Sequence, residues 1–311
     1  MATESVLAPL DASAGQRRSV RSTILSDYWT LTKPEVNFLI LITTFVGFYM
    51  GCTATARDFS FLRSINTLLG TLLVASGTGT LNQYIERRFD AQMRRTVRRP
   101  LAAGRLRPSA VLWFGIALSV TGSIYLAAAV NFLASLLAIA TLLSYLFFYT
   151  PLKRKTPLCT LVGAIPGAMP PLIGWAAASG SLNLAAWILY AILFLWQFPH
   201  FMAIAWMYRE DYDRAGYLVL PRGGARTLIV NLQTNLPLLA LIPLSLIPVF
   251  RGQPSIFYCI GVLLLSLGFY HYGTQFLLQR TNAAARRLLM ASIVYLPSLF
   301  ILMVMQGLLS S

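Results

Sequence analysis

Residues 132–150, FLASLLAIATLLSYLFFYT, run for nineteen positions without one charged side chain. At about 1.5 Å per helical residue the stretch spans ~28 Å, close to the roughly 30 Å hydrocarbon thickness of a bilayer. Working outward, similar runs recur near residues 36–52, 64–85, 110–130, 158–178, 184–207, 228–249, 255–278 and 288–308, separated by short polar segments. The chain is 57% hydrophobic and only 11% charged over 311 residues, too little polar surface to cover a soluble globule. The fold class expected is therefore an all-α polytopic membrane protein of about nine transmembrane helices. Residues 31–311 form its single membrane domain, and residues 1–30 form a flexible cytoplasmic tail.

The formal charge of +15 is not gathered in a soluble basic domain, so it does not point to nucleic acid. With nine spans, 22 of the 25 Lys and Arg fall on one side: Arg17, Arg18, Arg21 and Lys33, the arginines from 87 to 107, residues 153–155, those from 209 to 226, and Arg280, Arg286 and Arg287. Only Arg57, Arg63 and Arg251 fall on the other. The positive-inside rule then puts the N-terminus in the cytoplasm. The first thirty residues lack the apolar core of a signal peptide and carry Glu4, Asp11 and Asp27, which transit peptides avoid. A bacterial inner membrane is the expected location, a mitochondrial inner membrane the alternative. Cys52, Cys159 and Cys259 stand singly in apolar surroundings and read as packing residues. Gly47/Gly51 and Gly163/Gly167 have the spacing that lets membrane helices approach closely, and Pro221 with Gly223-Gly224 breaks the loop before the seventh span.

Chemistry concentrates at two cytoplasmic helix ends. In Leu81-Asn82-Gln83-Tyr84-Ile85-Glu86-Arg87-Arg88-Phe89-Asp90, the residues Asn82, Glu86 and Asp90 recur every four positions and share one helix face. A solvated helix end pairing its acids with Arg87, Arg88 and Arg94 is one reading. A row of oxygen donors for Mg²⁺ is the other, and it gains from three such residues in register. Met93-Arg94-Arg95-Thr96-Val97-Arg98-Arg99-Pro100 follows, dense in guanidinium groups that suit phosphate oxygens and also satisfy the topology rule. The second end, Tyr208-Arg209-Glu210-Asp211-Tyr212-Asp213-Arg214, faces the same compartment. Five of the ten acidic residues of the chain lie in these two segments, placed to bracket a diphosphate through Mg²⁺. Asp213 ranks below Asp211, as a local partner of Arg214. Lys33, Lys153 and Arg154 fall on the same side and join Arg94, Arg95 and Arg98 as diphosphate candidates, a topogenic role being equally open for each. His200, within Trp196-Gln197-Phe198-Pro199-His200-Phe201, lies inside a span and needs a partner.

Asn82-x₃-Glu86-x₃-Asp90 followed by Met93-Arg94-Arg95-Thr96-x₂-Arg99-Pro100 resembles the UbiA superfamily of intramembrane prenyltransferases, whose first acidic motif more often has Asp where Glu86 stands. Leu31-Thr32-Lys33-Pro34-Glu35, Tyr149-Thr150-x₂-Lys153-Arg154-x₂-Pro157 and Trp196-Gln197-Phe198-Pro199-His200-Phe201, running into Tyr208-Arg209-Glu210-Asp211, are similar to the branch of that family that farnesylates protoheme IX. The resemblance covers roughly residues 30–222. It implies a bundle around a central cavity, with Mg²⁺ as cofactor and farnesyl diphosphate and protoheme IX as substrates. Asn82, Glu86, Asp90 and Asp211, with Glu210, are the implied metal-holding and catalytic residues. His200 is the candidate to ligate heme iron or bond a propionate, and Trp196 to pack on the macrocycle. Membrane lipid, and a heme A synthase or a terminal-oxidase assembly partner, are the further partners it suggests. A relative acting on a quinone precursor or chlorin is the alternative.

Overall fold

In a computed structural model, residues 23–220, 224–247 and 254–310 are described. Arg17, Arg18, Arg21, Pro221, Arg222, Gly223 and Arg251, used above for topology and loop breaks, lie outside these described residues.

The first departure from expectation comes at the start, because residues 24–30, assigned above to a flexible tail, form helix α1 (Ile24–Leu31) together with Leu31. Thr23 caps it by accepting from the Ser26 amide, and Asp27 in its first turn is buried and held bidentately by Arg105 at 2.9 to 3.1 Å. The long helices follow: α2 (Pro34–Ala54), α3 (Phe61–Asp90), α4 (Pro108–Ala129), α5 (Phe132–Leu152), α6 (Cys159–Ser179) and α7 (Leu184–Met207). After the short α8 (Arg209–Arg214) come α9 (Gly224–Leu246), α10 (Ile256–Gln279) and α11 (Asn282–Ser310).

Eight of these helices are long and apolar enough to cross a membrane. The ninth long one, α3, has the length but not the apolarity, because Ser64, Thr67, Thr71, Ser76, Thr80, Asn82 and Gln83 stud it. Those side chains are buried against protein, where Thr67, Ser76, Thr80, Asn82 and the Gln83 amide nitrogen find hydrogen-bond partners while Thr71 Oγ1 and Gln83 Oε1 find none, so α3 shows lipid little of its polarity. Asn37 on α2 donates to Ser76 Oγ at 2.8 Å and Gln83 donates to the Leu31 carbonyl at 3.0 Å, tying α1, α2 and α3 together.

The bundle has two apolar halves joined by α6, the most buried of the spans. One half packs Phe48, Val74, Leu126 and Ala138 on Ile173 and Ala177; the other gathers α7 and α9–α11 around Leu189, Leu238, Phe269 and Tyr295. Close approach between α2 and α6 rests on glycine, as the sequence pattern predicts: a Cβ at Gly47 would collide with the Pro171 carbonyl, and one at Gly51 would meet the Trp175 backbone at 3.2 Å. Gly167 similarly admits the Gln197 side chain. Cys52 and Cys159 are buried, Cys259 is half-buried, and all three are free thiols in packing positions.

Candidate active site at the inward-facing helix ends

The face shared by Asn82, Glu86 and Asp90 turns inward at the end of α3, where Glu86 keeps 6% and Asp90 2% of its surface. Three cations converge on it. Lys153 Nζ donates to Glu86 Oε1 at 2.9 Å, Lys33 Nζ to Asn82 Oδ1 at 3.1 Å, and Arg99 to Asp90 Oδ2 at 2.7 Å. Asn82 Nδ2 in turn donates to Glu86 Oε2 at 3.0 Å and to Thr150 Oγ1 at 3.2 Å. The Tyr217 hydroxyl completes the shell by donating to Glu86 Oε1 at 3.0 Å.

Local backbone chemistry positions each member. Pro151 has no N–H, so the α-helical ladder of α5 loosens into a π-helical stretch over Ser144–Tyr149, and the Thr150 amide bonds the Tyr145 carbonyl. That register aims Thr150 at Asn82 and carries Lys153 over the Tyr149 ring, 4.5 Å from its centroid. Lys33 sits in the left-handed region at φ 53°, ψ 61°, directly before Pro34. A non-glycine residue there costs about 1–3 kcal/mol, a strain the surrounding structure maintains and one typical of functional positions. Gly216, with φ 70°, reverses the chain after α8 and returns Tyr217 to the α3 end. Leu218 N then bonds the Lys153 carbonyl at 2.7 Å, closing the two loops on each other.

Charge is unevenly distributed over the cations. Burial, then the nearby positive charges of Arg99 and Lys153, pull the Lys33 ammonium down to about 7. Burial acts against Lys153 as well, but the Glu86 carboxylate outweighs it and holds that lysine well above its ordinary value. Burial and the same carboxylate push the Tyr217 hydroxyl up, so it stays a donor.

The second acidic segment meets the first, but through one residue. Asp211, 8% exposed, accepts from the Arg95 amide at 3.2 Å and pairs with Arg214 at 3.4 Å. Met93, Ala215 and Tyr217 pack beneath this junction with Phe89 and Tyr212. Glu210 is exposed, and Asp213 turns to Arg226 at 3.3 Å rather than to Arg214. Among the described residues no three of His, Cys, Asp and Glu group closely enough to enclose a metal.

Of the expected diphosphate set, Lys33 and Lys153 lie in the centre. Arg95 and Arg154 lie at the rim, stacked over Tyr208 at 4.8 Å and Phe89 at 4.2 Å. Arg94 and Arg98 are exposed. Arg87, an expected partner of the acids, instead bonds the Tyr84 carbonyl. Arg99, Thr150 and Tyr217 are the residues that sequence reading did not single out. Arg99 stands within the quoted motif, but its pairing with Asp90 depends on how the loop after α3 folds back; nothing in the sequence marks Tyr217.

His200 and Trp196 are not brought to the carboxylates. Both face α11, where His200 Nδ1 lies 2.8 Å from Ser292 Oγ, Trp196 Nε1 donates to the Ser292 carbonyl at 2.8 Å, and the two rings stack at 4.7 Å.

The described UbiA prenyltransferase family matches residues 40–296. A relative named protoheme IX farnesyltransferase from Solibacter usitatus (strain Ellin6076) is 46% identical over 293 residues, covering 90% of this chain and 98% of its own. Among solved structures, a digeranylgeranylglyceryl phosphate synthase superposes with a TM-score of 0.74 at 15% identity, covering 91% of this chain and 98% of its own. A UbiA homolog from Archaeoglobus fulgidus bound to GPP and Mg²⁺ superposes with a TM-score of 0.63 at 15% identity, covering 90% of this chain and all of its own. Fold, inward-turned acidic face and sequence thus agree: the chain belongs to the UbiA prenyltransferase family, alongside relatives named protoheme IX farnesyltransferase.

Proposed function

We propose that this protein transfers the farnesyl group of farnesyl diphosphate to a vinyl group of protoheme IX, releasing diphosphate and producing heme O. The observation that carries the reading is 46% identity over nine-tenths of the chain to a protein named for that reaction. It is supported by the cluster of Lys33, Lys153, Arg99, Glu86 and Asp90 at one end of an apolar bundle.

The donor set fits Mg²⁺. Its atoms are hard oxygens, and Mg²⁺ is usually bound by one or two carboxylates plus substrate phosphates rather than by an all-protein cage. That preference accords with the absence of a three-acid group among the described residues. Glu86 and Asp90, with Asn82 and Asp211, would hold the metal; Glu210, being exposed, is the weakest member of the set. When bound, Mg²⁺ neutralises the charge that grows on the departing diphosphate.

The residues of the chain do the rest. Lys33 and Lys153 in the centre, with Arg95 and Arg154 at the rim, bind phosphate oxygens; the exposed Arg94 and Arg98 extend that field. Phosphate competes with Glu86 for Lys153, so substrate binding frees that carboxylate to act as a ligand beside Asp90. As the C1–O bond of farnesyl diphosphate breaks, the apolar walls exclude water from the allylic cation. The terminal vinyl carbon bonds to farnesyl C1, and water adds at the carbon next to the ring and loses a proton, giving the hydroxyethylfarnesyl side chain. His200 and Trp196 are the residues we assign to the porphyrin. In this reading residues 31–311 form one membrane domain in a bacterial inner membrane. The alternation of Lys33, Arg87–Arg107 and Lys153–Lys155 against Arg57 and Arg63 supports a cytoplasmic N-terminus.

Purified protein incubated with heme, farnesyl diphosphate and Mg²⁺, with and without EDTA, tests the proposal by mass spectrometry of the porphyrin. A Mg²⁺-dependent conversion to the farnesylated product is expected. Unmodified heme from folded protein that prenylates a quinone precursor instead would overturn the substrate.

A further inference from the structure

Ser292 has a single hydroxyl proton and two polar neighbours. Its Oγ lies 2.6 Å from the Leu289 carbonyl oxygen and 2.8 Å from His200 Nδ1. The carbonyl can only accept, so the serine proton must lie between the two oxygens. His200 Nδ1 then has to be the donor in the other contact, which places the imidazole proton on Nδ1 and leaves Nε2 with its lone pair.

The ring is also fixed in orientation. Trp196 stacks on one face at 27° between planes, and its own Nε1 donates to the carbonyl of the same Ser292. One residue of α11 thus anchors both side chains of α7. Nε2 has no hydrogen-bond partner among the described residues, and it is not sealed in packed interior as the orphaned Trp206 Nε1 is. A neutral imidazole whose other nitrogen donates to a fixed oxygen is the usual arrangement of a metal-ligating histidine. It also has no Nε2–H with which to donate to a propionate.

We infer that Ser292 is a positioning residue that holds His200 in the Nδ1–H tautomer, so that Nε2 serves as an axial ligand to the iron of the bound porphyrin. The inference rests on the protoheme reading above and deepens it.

Resonance Raman and absorption spectra of the full-length protein with ferrous heme in detergent provide the test. The wild type is expected to show an iron–imidazole stretching band. His200→Ala loses it and recovers it on addition of free imidazole, and His200→Gln, which fills a similar volume, also lacks it. Ser292→Ala keeps the band but shifts its frequency and weakens heme affinity about tenfold, as loss of an outer-shell partner does, and Ser292→Thr restores both. An unchanged band in folded, heme-loaded His200→Ala overturns the ligand while leaving heme farnesylation standing. An unchanged frequency in Ser292→Ala overturns the positioning role. Wild-type protein that binds no heme and prenylates another acceptor removes the inference together with the reading beneath it.

Discussion

The two acidic segments look alike in sequence and behave differently in space. At the end of α3, Glu86 and Asp90 are buried, one turn apart, and each is met by its own cation. At α8, three consecutive-looking acids scatter: Asp211 turns in, Glu210 stays exposed and Asp213 pairs sideways with Arg226. The difference lies in what carries them. Glu86 and Asp90 extend a thirty-residue helix whose inward face is already fixed by Thr67, Thr71 and Asn82, so their direction is inherited. The helix α7 instead stops at Tyr208, with φ −107° and ψ 20°, and six residues of α8 begin again at a new angle. Periodicity is informative along a continuous helix and lapses across a break.

The largest expected effect tests the buried end. Glu86→Gln should lower kcat by about 10²–10³, the scale for removing one electrostatic stabiliser of a charged transition state. It also leaves Lys153 without its carboxylate, at a cost of roughly 3 kcal/mol in stability. Combining it with Lys153→Met removes the unpaired charge and should recover the melting temperature without recovering turnover. Full activity in the double variant would make Glu86 a scaffold element and erase the contrast between the two ends.

Asp211 is the point where the α8 segment matches the first. Asp211→Asn keeps an acceptor for the Arg95 amide but drops the charge, and a fall in kcat/KM of about tenfold is expected, as for weakening one charge-assisted hydrogen bond by ~1.4 kcal/mol. Titrating Mg²⁺ against rate separates the roles: a raised Mg²⁺ requirement marks a ligand, whereas an unchanged one marks a loop clasp.

Tyr217→Phe removes one of the donors to Glu86 and leaves Lys153 and Asn82 in place. Loss of a single hydrogen bond of about 1 kcal/mol predicts a fall near fivefold in turnover, with the fold intact. A loss as large as that of Glu86→Gln would show that the hydroxyl touches substrate.

Much of this is legible in the sequence. Lipid imposes length and apolarity on every crossing, so the spans could be read to within a few residues, and the four-residue spacing of Asn82, Glu86 and Asp90 gave the inward face of α3. Helix α1 escaped because eight amphipathic residues resemble a polar tail, although Thr23 ahead of Asp27 carries a capping signal. Tyr217 was unreadable, since its return to Glu86 depends on the positive φ of Gly216 and on docking between two loops. The pairing of Asp90 with Arg99 required knowing how the loop after α3 folds back. The separation of His200 from the carboxylates was invisible too, because it depends on the packing of α7 against α11, elements some ninety residues apart in sequence.

The smallest expected effect sharpens the comparison from the other side. If α8 contributes through Asp211 alone, Glu210→Gln and Asp213→Asn should each leave kcat/KM within about twofold, since an exposed carboxylate or a partly exposed ion pair is worth ~0–1 kcal/mol. For Asp213 the change should appear instead as slight loosening of the link between α8 and Arg226 at the start of α9, measurable as faster proteolysis near residues 214–226. Glu210 offers the stricter test. Its side chain is exposed in α8, away from the buried carboxylates at the end of α3. A drop for Glu210→Gln as large as that for Asp211→Asn, accompanied by a raised Mg²⁺ requirement, would therefore mean that both acids of α8 serve the metal and that exposure alone does not decide which of them contributes.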